Sequence, residues 1–391
     1  VKYLKVRGSY GEVGNDQIGG DRFLYLPSSY GAASDSGVNK YNFGLASNPY
    51  TSLMIVENKI GNPDLTWEKA KKMNVGVDIN LFNNCLTASF DIFKEKRNNI
   101  LANRSTSPMI IGANLPAYNF GEMENRGWEM DLNFRHHIQD FHYWARFNYS
   151  FARNEIIYMD EVQKRYDYQM TTGRRKNQFF GLIFDGYYNS WEEINALDRP
   201  KSSWSGNQLQ PGDVKYVDVN QDGVIDDYDM VPIGYTPVPE IIYGFSFGAQ
   251  YKGFDFSILF QGADNVSIKY FGRSMWPFAK GEESAKSLIK ERWTQERYEA
   301  GEKITFPRLS LNPNGETDHN YRPSTLWIRD ASYLRLKNLE VGYTFTGGFV
   351  KRLNLNSVRL YFNGSNLFTW TDVVDLDPEA PSRSGNVEIN T

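Results

Sequence analysis

The chain has 391 residues, of which 40% are hydrophobic and 15% aromatic, and a formal net charge of −4. That length is ample for a large core, and the slight acidity leaves no basic footprint for nucleic acid. No run approaches the ~18 apolar residues of a membrane helix, which excludes a helical membrane protein but not a barrel, whose strands are only half apolar.

The chain begins at Val1 without a secretory signal and runs straight into an alternating segment, so it reads as an internal piece of something longer. Lys2–Tyr10 alternates and breaks at Gly11 and Gly14. Residues 11–66 are rich in Gly, Ser, Asn and Pro and read as a long loop.

The clearest hairpin follows. Val75, Val77, Ile79 and Leu81 share one face against Asn74, Gly76, Asp78 and Asn80, and the return arm sets Leu86, Ala88, Phe90 and Ile92 against Thr87, Ser89 and Asp91. Side chains alternate across a strand with period two, so each arm has an apolar and a polar face. Asn83-Asn84 closes the turn. The single cysteine, Cys85, sits beside it, makes an internal disulfide impossible, and is expected to be a small neutral turn residue.

Leu101–Asn125 reads as a second long connection. Trp128, Met130, Leu132 and Phe134 then alternate up to a turn at His136–Asp140, and Phe141, Tyr143, Ala145, Phe147, Tyr149 and Phe151 lead away from it. A long connection spans 154–239. A third hairpin turns at Lys252-Gly253 between Ile241–Ala249 and Phe254–Phe260. Residues 264–325 form another long connection, with a helix expected over Glu282–Glu299. A fourth hairpin pairs Leu339–Phe345 with Val358–Phe362 across Gly347-Gly348.

Short turns thus alternate strictly with long loops. Soluble sandwiches mix loop lengths at both ends, whereas outer-membrane barrels keep short turns on the periplasmic side and long loops outside. About nine strands on this pattern predict an all-β, antiparallel transmembrane β-barrel. Trp67, Trp144, Tyr149, Tyr343 and Trp370 are expected in its interfacial belts.

Residues 218–229 carry the sharpest local motif. Asp218, Asn220 and Asp222 fall at positions one, three and five of a calcium loop, Gly223 permits the sharp turn, and Val224 offers its carbonyl. Asp226 and Asp229 complete positions nine and twelve, with Asp where a bidentate Glu is usual, as in dockerin-type loops. Ca2+ is therefore the expected cofactor; the plain alternative is a solvated acidic turn. Trp191, Trp204, Trp276 and Trp293 lie in the long loops, where an indole can stack on a sugar or pack loops together. His136, His137, His142 and His319 lack metal spacing and are expected to be solvated or interfacial. No nucleophile set, phosphate loop or dinucleotide fingerprint is visible, so no catalytic residue is expected.

Several phrases bear a family stamp. VRGSYGEVGN (Val6–Asn15), NPDLTWEKAKKMNVGVDINLF (Asn62–Phe82), FDIFKEKRNNIL (Phe90–Leu101) and ENRGWEMDL (Glu124–Leu132) resemble the SusC/RagA-type TonB-dependent outer-membrane transporters of Bacteroidetes. So do PGDVKYVDVNQDGVIDDYDMVPIG (Pro211–Gly234), SYLRLKNLEVGYTF (Ser332–Phe345) and VRLYFNGSNLFTWT (Val358–Thr371). The resemblance implies that residues 1–391 are the C-terminal portion of a roughly 22-stranded barrel. Plug, TonB box, early strands and last strand have no counterpart here. It further implies active import of a nutrient, a glycan first and a peptide second, beneath a SusD-like surface lipoprotein. The TonB–ExbB–ExbD complex would drive import through the N-terminal plug, in a dimer of transporter–lid pairs surrounded by outer-membrane lipid. A passive porin is disfavoured by the same resemblance. The competing reading is a soluble secreted β-rich protein whose calcium loop helps it bind glycans or partners.

Overall fold

The computed structural model describes residues 1–16, 24–26, 31–32, 40–45, 50–56, 61–106, 115–204, 209–270, 275–278, 287–310 and 318–379. Nine strands form one sheet in sequence order, every neighbour antiparallel. They are β1 (Tyr3–Asn15), β2 (Glu68–Leu81), β3 (Leu86–Ala102), β4 (Tyr118–Ile138), β5 (Phe141–Tyr158), β6 (Ile241–Tyr251), β7 (Phe254–Asp264), β8 (Tyr333–Phe345) and β9 (Val358–Thr371).

Register turns the local alternation into two continuous faces. Leu4, Ile79, Ala88, Leu132, Phe147, Phe245, Phe260, Leu336 and Phe368 stand in a single cross-strand row. Every member is apolar. One residue along lies the row Lys5, Asp78, Ser89, Asp131, Asn148, Gly244, Gln261, Arg335 and Thr369. It contains no large apolar side chain. Because a one-residue slip would exchange the faces, this pattern locks the register. The apolar face is uncovered on the inner strands too: Val75 is 55%, Ile92 54% and Phe245 42% exposed. A water-soluble sheet buries such a face, while a barrel wall gives it to lipid.

The short connections, 82–85, 139–140, 252–253 and 346–357, all close one edge of the sheet. Lys252 and Gly253 have φ of 47° and 92°, as a two-residue hairpin turn of matching twist requires. Asn83 and Asn84 also adopt positive φ, and so does Phe82 before them. The connection holding Gly347-Gly348 spans 346–357, between Phe345 and Val358 as expected, and contains a one-turn helix, α3 (Gly348–Arg352).

Several strands outrun their expected ends. β1 continues through Gly11 and Gly14 to Asn15 because β2 pairs with it over that whole stretch. β3 reaches Ala102 and β4 already starts at Tyr118, so the second long connection shrinks to 103–117. The helix expected over Glu282–Glu299 is not continuous. Residues 282–286 lie outside the described set; beyond them, a 3₁₀ turn at Ser287–Glu291 and a short helix, α2 (Gln295–Glu299), flank Trp293. Trp144 belongs to the polar face, lying across Gly248, where a Cβ would come within 2.4 Å of the indole. It is therefore not a belt residue. Tyr149, Tyr343 and Trp370 do stand on the apolar face.

Two of the long connections at the other edge, 159–240 and 265–332, pack against each other. Leu182, Val214 and Tyr216 of one, and Tyr270, Trp276, Trp293, Phe306, Tyr321 and Trp327 of another, share a hydrophobic core. Four small two-stranded pairs stitch them, among them Phe184–Tyr187 with Val214–Tyr216 and Ser267–Lys269 with Ile328–Asp330. The molecule is thus a curtain of strands with a packed roof over one edge.

Candidate functional site

Three arginines knit the polar face across strands. Arg7 on β1 donates through Nε to Asp78 on β2 at 2.8 Å and through Nη2 to Asp91 on β3 at 2.7 Å, while Ser89 Oγ donates to Asp78 at 2.8 Å. Gly76 makes room for this clamp: a Cβ there would come within 2.3 Å of Asp91 Oδ1 and 2.9 Å of the Arg7 guanidinium carbon. Arg359 bridges Asp255 and Glu340 nearer the short-turn edge. Arg335, its side chain 6% exposed, pairs with Asp377 and Glu379 beyond β9. Half-exposed pairs add little each, but together they fix a stiff, hydrophilic wall.

Towards the roof this wall holds a hollow of about 460 Å³. Glu68, Glu95, Arg97, Asn125, Arg175 and Glu240 contribute to its lining, with the last two supplied by the roof. Glu240, 4% exposed, accepts from Arg153 at 2.8 Å and from Arg175. Burial opposes its ionisation, yet the two guanidinium groups hold its carboxyl below the usual range. Alternating carboxylates and guanidinium groups suit a polar solute by hydrogen bonding.

Inside the roof, His319 is 7% exposed and satisfied at both nitrogens. Its Nε2 lies 2.8 Å from the Val214 carbonyl, which can only accept, so Nε2 carries the proton and Nδ1 accepts from Ser202 Oγ at 2.8 Å. Burial lowers its affinity for a second proton. This Ser–His contact and the bond to Val214 tie the two long connections together, His319 coming from one and Ser202 and Val214 from the other. His319 was expected at a wet surface; the contacts that bury it come from residues more than a hundred positions away, which no local signal reveals. Asp213 stands beside it, accepting from Asn320 at 2.8 Å and pairing with Arg308 at 2.6 Å.

His136, His137 and His142 cluster at the short-turn edge, exposed as expected, with Cys85 Sγ 3.5 Å from His136.

The 218–229 segment folds into a compact turn. Asp218 accepts from the backbone N–H of Gln221 at 2.7 Å and of Gly223 at 2.8 Å, and Asp222 accepts from Val224 at 2.9 Å. Gly223 has φ of 82°, the conformation for which glycine was expected. Asp226 caps Tyr228, and Asp229, fully buried, accepts from Val219 and Asp226. Burial pushes the Asp229 carboxyl up. Val224 pairs with Lys201 in a short parallel bridge. Among the described residues no three His, Cys, Asp or Glu side chains stand together as a metal cage. The turn is held by backbone N–H groups donating to its own carboxylates.

Of the four loop tryptophans, Trp276 and Trp293 are core residues of the roof, 9% and 8% exposed. Trp204 is half-buried under the guanidinium of Arg322 at 4.1 Å. Trp191, 57% exposed at the start of α1 (Trp191–Ile194), is the one presented to solvent.

Among the described residues no helix is long and apolar enough to cross a membrane. The sequence profile described as TonB dependent receptor-like, beta-barrel matches residues 2–367. The chain belongs to this β-barrel family. TonB-dependent receptor P3 of Formosa agariphila is 28% identical across 98% of this chain and 36% of its own length. TonB-dependent receptor SusC of Bacteroides thetaiotaomicron is 26% identical across 97% of this chain and 35% of its own. Among solved structures, the RagAB peptide transporter superposes with a TM-score of 0.68 at 23% identity, over 98% of this chain and 38% of that one. The chain therefore spans little more than a third of the relatives it matches. The nine-stranded sheet is accordingly part of a barrel, its apolar face the outside and its polar face the lumen.

Proposed function

We propose that these residues form the lumen wall and extracellular roof of a SusC-like importer in the bacterial outer membrane. The observation that carries this reading is the register. Apolar and polar rows run unbroken across nine strands, with every short turn on one edge and the packed roof on the other. The full protein would draw a nutrient through the lumen using the TonB–ExbB–ExbD complex, with a SusD-like lipoprotein seated on the roof. A glycan is the leading cargo, and Trp191 is the side chain placed to stack on a sugar ring. The hollow at Glu95, Arg97 and Arg175 supplies hydrogen bonds of both senses. The family relationship and this lining both favour transport over catalysis. Purifying the full-length protein in mild detergent, with mass spectrometry of what travels with it, tests the reading. A co-purifying surface lipoprotein and a trapped oligosaccharide are expected. A trapped peptide would change the cargo, and a water-soluble product without lipoprotein would sink the importer.

Calcium is the second element of the proposal. Asp218, Asn220, Asp222 and Asp226, with the Val224 carbonyl and Asp229, would hold it; Asp218 Oδ2, Asn220 Oδ1 and Asp222 Oδ1 each accept one backbone N–H, which leaves a lone pair on each for a cation. The ion would brace the roof through Tyr168 and Gln169, which donate to the carbonyls of Tyr228 and Asp227 at 2.6 and 2.8 Å. Calorimetric titration of the full-length protein is expected to show calcium heat that Asp222→Ala removes. Identical heat in that variant would eliminate this site.

A further inference from the structure

Resting on the membrane placement just argued, we propose that the apolar face carries a seat for a phosphate-bearing lipid of the outer leaflet. The seat combines a groove at Phe90, Ile92 and Trp128 with a basic cap at Lys94 and Arg126.

The groove is a shallow hollow of about 240 Å³ lined by those three apolar side chains. Trp128 is held rigid by Tyr149, stacked at 4.7 Å with planes 15° apart, and meets Phe90 at 5.8 Å. Two residues outward, about 7 Å along the strands, the same face changes character. The row there is Tyr10, Met73, Lys94, Arg126 and Arg153, in register across β1 to β5. Three cations stand directly opposite one another and no anion interrupts them. Like charges facing each other across a sheet are destabilising, so this row needs anions from elsewhere.

Part of the need is met from the protein. Arg153 is claimed by Glu240 at 2.8 Å, and Lys94 reaches outward to Glu124 at 2.9 Å. Arg126 is left with Glu155 at 4.0 Å, the outer limit of an ion pair, and its side chain is 60% exposed. Glu124 and Glu155 lie one row farther from the groove and Glu240 is taken up by Arg153, so no carboxylate stands opposite Lys94 or Arg126 in their own row. A guanidinium fork there matches a phosphate in two parallel hydrogen bonds. Lys94, on a flexible stem and 53% exposed, swings between Glu124 and the same phosphate. An acyl chain in the groove and a phosphate under Arg126 are the two halves of one lipid. Free phosphate would satisfy the cap and ignore the groove.

Full-length protein is extracted from its native membrane in mild detergent and its bound lipid is analysed by mass spectrometry. A retained phosphate-bearing lipid is expected, falling about 10- to 30-fold when Lys94→Gln and Arg126→Gln remove two interfacial charges. The swap Lys94→Arg with Arg126→Lys preserves charge and is expected to keep the lipid. Thermal melting supplies the second readout: phosphatidylglycerol nanodiscs raise the wild-type melting temperature over phosphatidylcholine nanodiscs, and the glutamine pair abolishes the difference. Equal lipid retention in the glutamine pair, loss of lipid in the swap, or an equal rise from inorganic phosphate alone would each overturn the seat. A full-length protein absent from the membrane fraction would instead overturn the importer reading on which the seat depends.

Discussion

Arginine at Phe245 is expected to destabilise the membrane-inserted protein by about 2–4 kcal/mol, the cost of a cation near the mid-plane of a barrel's lipid face. Phe245 lies in the all-apolar row, between Phe147 and Phe260 on the neighbouring strands. Its ring is 42% exposed, so a soluble sheet would accept the charge within about 0.5 kcal/mol, as surface sites do. Ser246→Arg is the control, one residue along and facing the lumen, beside Arg146 and Leu259. Denaturant titration of the full-length protein in lipid vesicles separates the two. A large loss for Phe245→Arg and a small one for Ser246→Arg is the expected pair. Equal effects would mean that the faces are misassigned.

Truncating Trp327 to alanine is expected to cost the roof about 3–5 kcal/mol, as large-to-small changes at buried aromatics do. Trp327 is 2% exposed, meets Tyr321 at 5.3 Å and Phe306 at 5.4 Å, and donates its indole N–H to the Asn320 carbonyl at 2.8 Å. Removing it leaves a cavity at the junction of the two long connections and an unpaired carbonyl. The strands have separate supports, their own ladders and the lipid, so the wall should persist. Limited proteolysis of full-length protein in detergent reads this directly. Cuts within 159–240 and 265–332 should appear while the strand segments stay protected. If the wall is cut as readily as the roof, the two do not fold on separate supports.

What was legible in the sequence follows from the range of each interaction. Period-two alternation is local, so all nine strands and the parity of their connections could be read residue by residue. Strand ends were less legible, because beyond the apolar band the sheet is held by backbone pairing and ion pairs with no hydrophobic rhythm. Lys96–Glu122 at 2.9 Å on the outer ends of β3 and β4 is one such pair. Trp144 shows a different limit: an aromatic ring on the polar side of an alternation is tolerated where a glycine, Gly248, lies beneath it. The roof was least legible. Its tryptophans and His319 acquire their surroundings from distant segments, so burial at Trp276 and Trp293 and the Ser202 contact of His319 have no sequence signature. The arginine clamps had a partial one, a lumen-facing cation directly across from a glycine, as with Arg7 and Gly76.

The central claim is that one face of this sheet meets lipid and the other meets the lumen. The most direct measurement places single fluorescent cysteines from Tyr243 to Gly248 along β6, in full-length protein whose Cys85 is replaced by serine, in vesicles containing brominated lipid. Quenching is predicted to alternate with period two, strong at Tyr243, Phe245 and Phe247 and weak at Gly244, Ser246 and Gly248. Uniformly weak quenching, with every position open to a water-soluble reagent, would contradict the barrel and leave a soluble β-protein in its place.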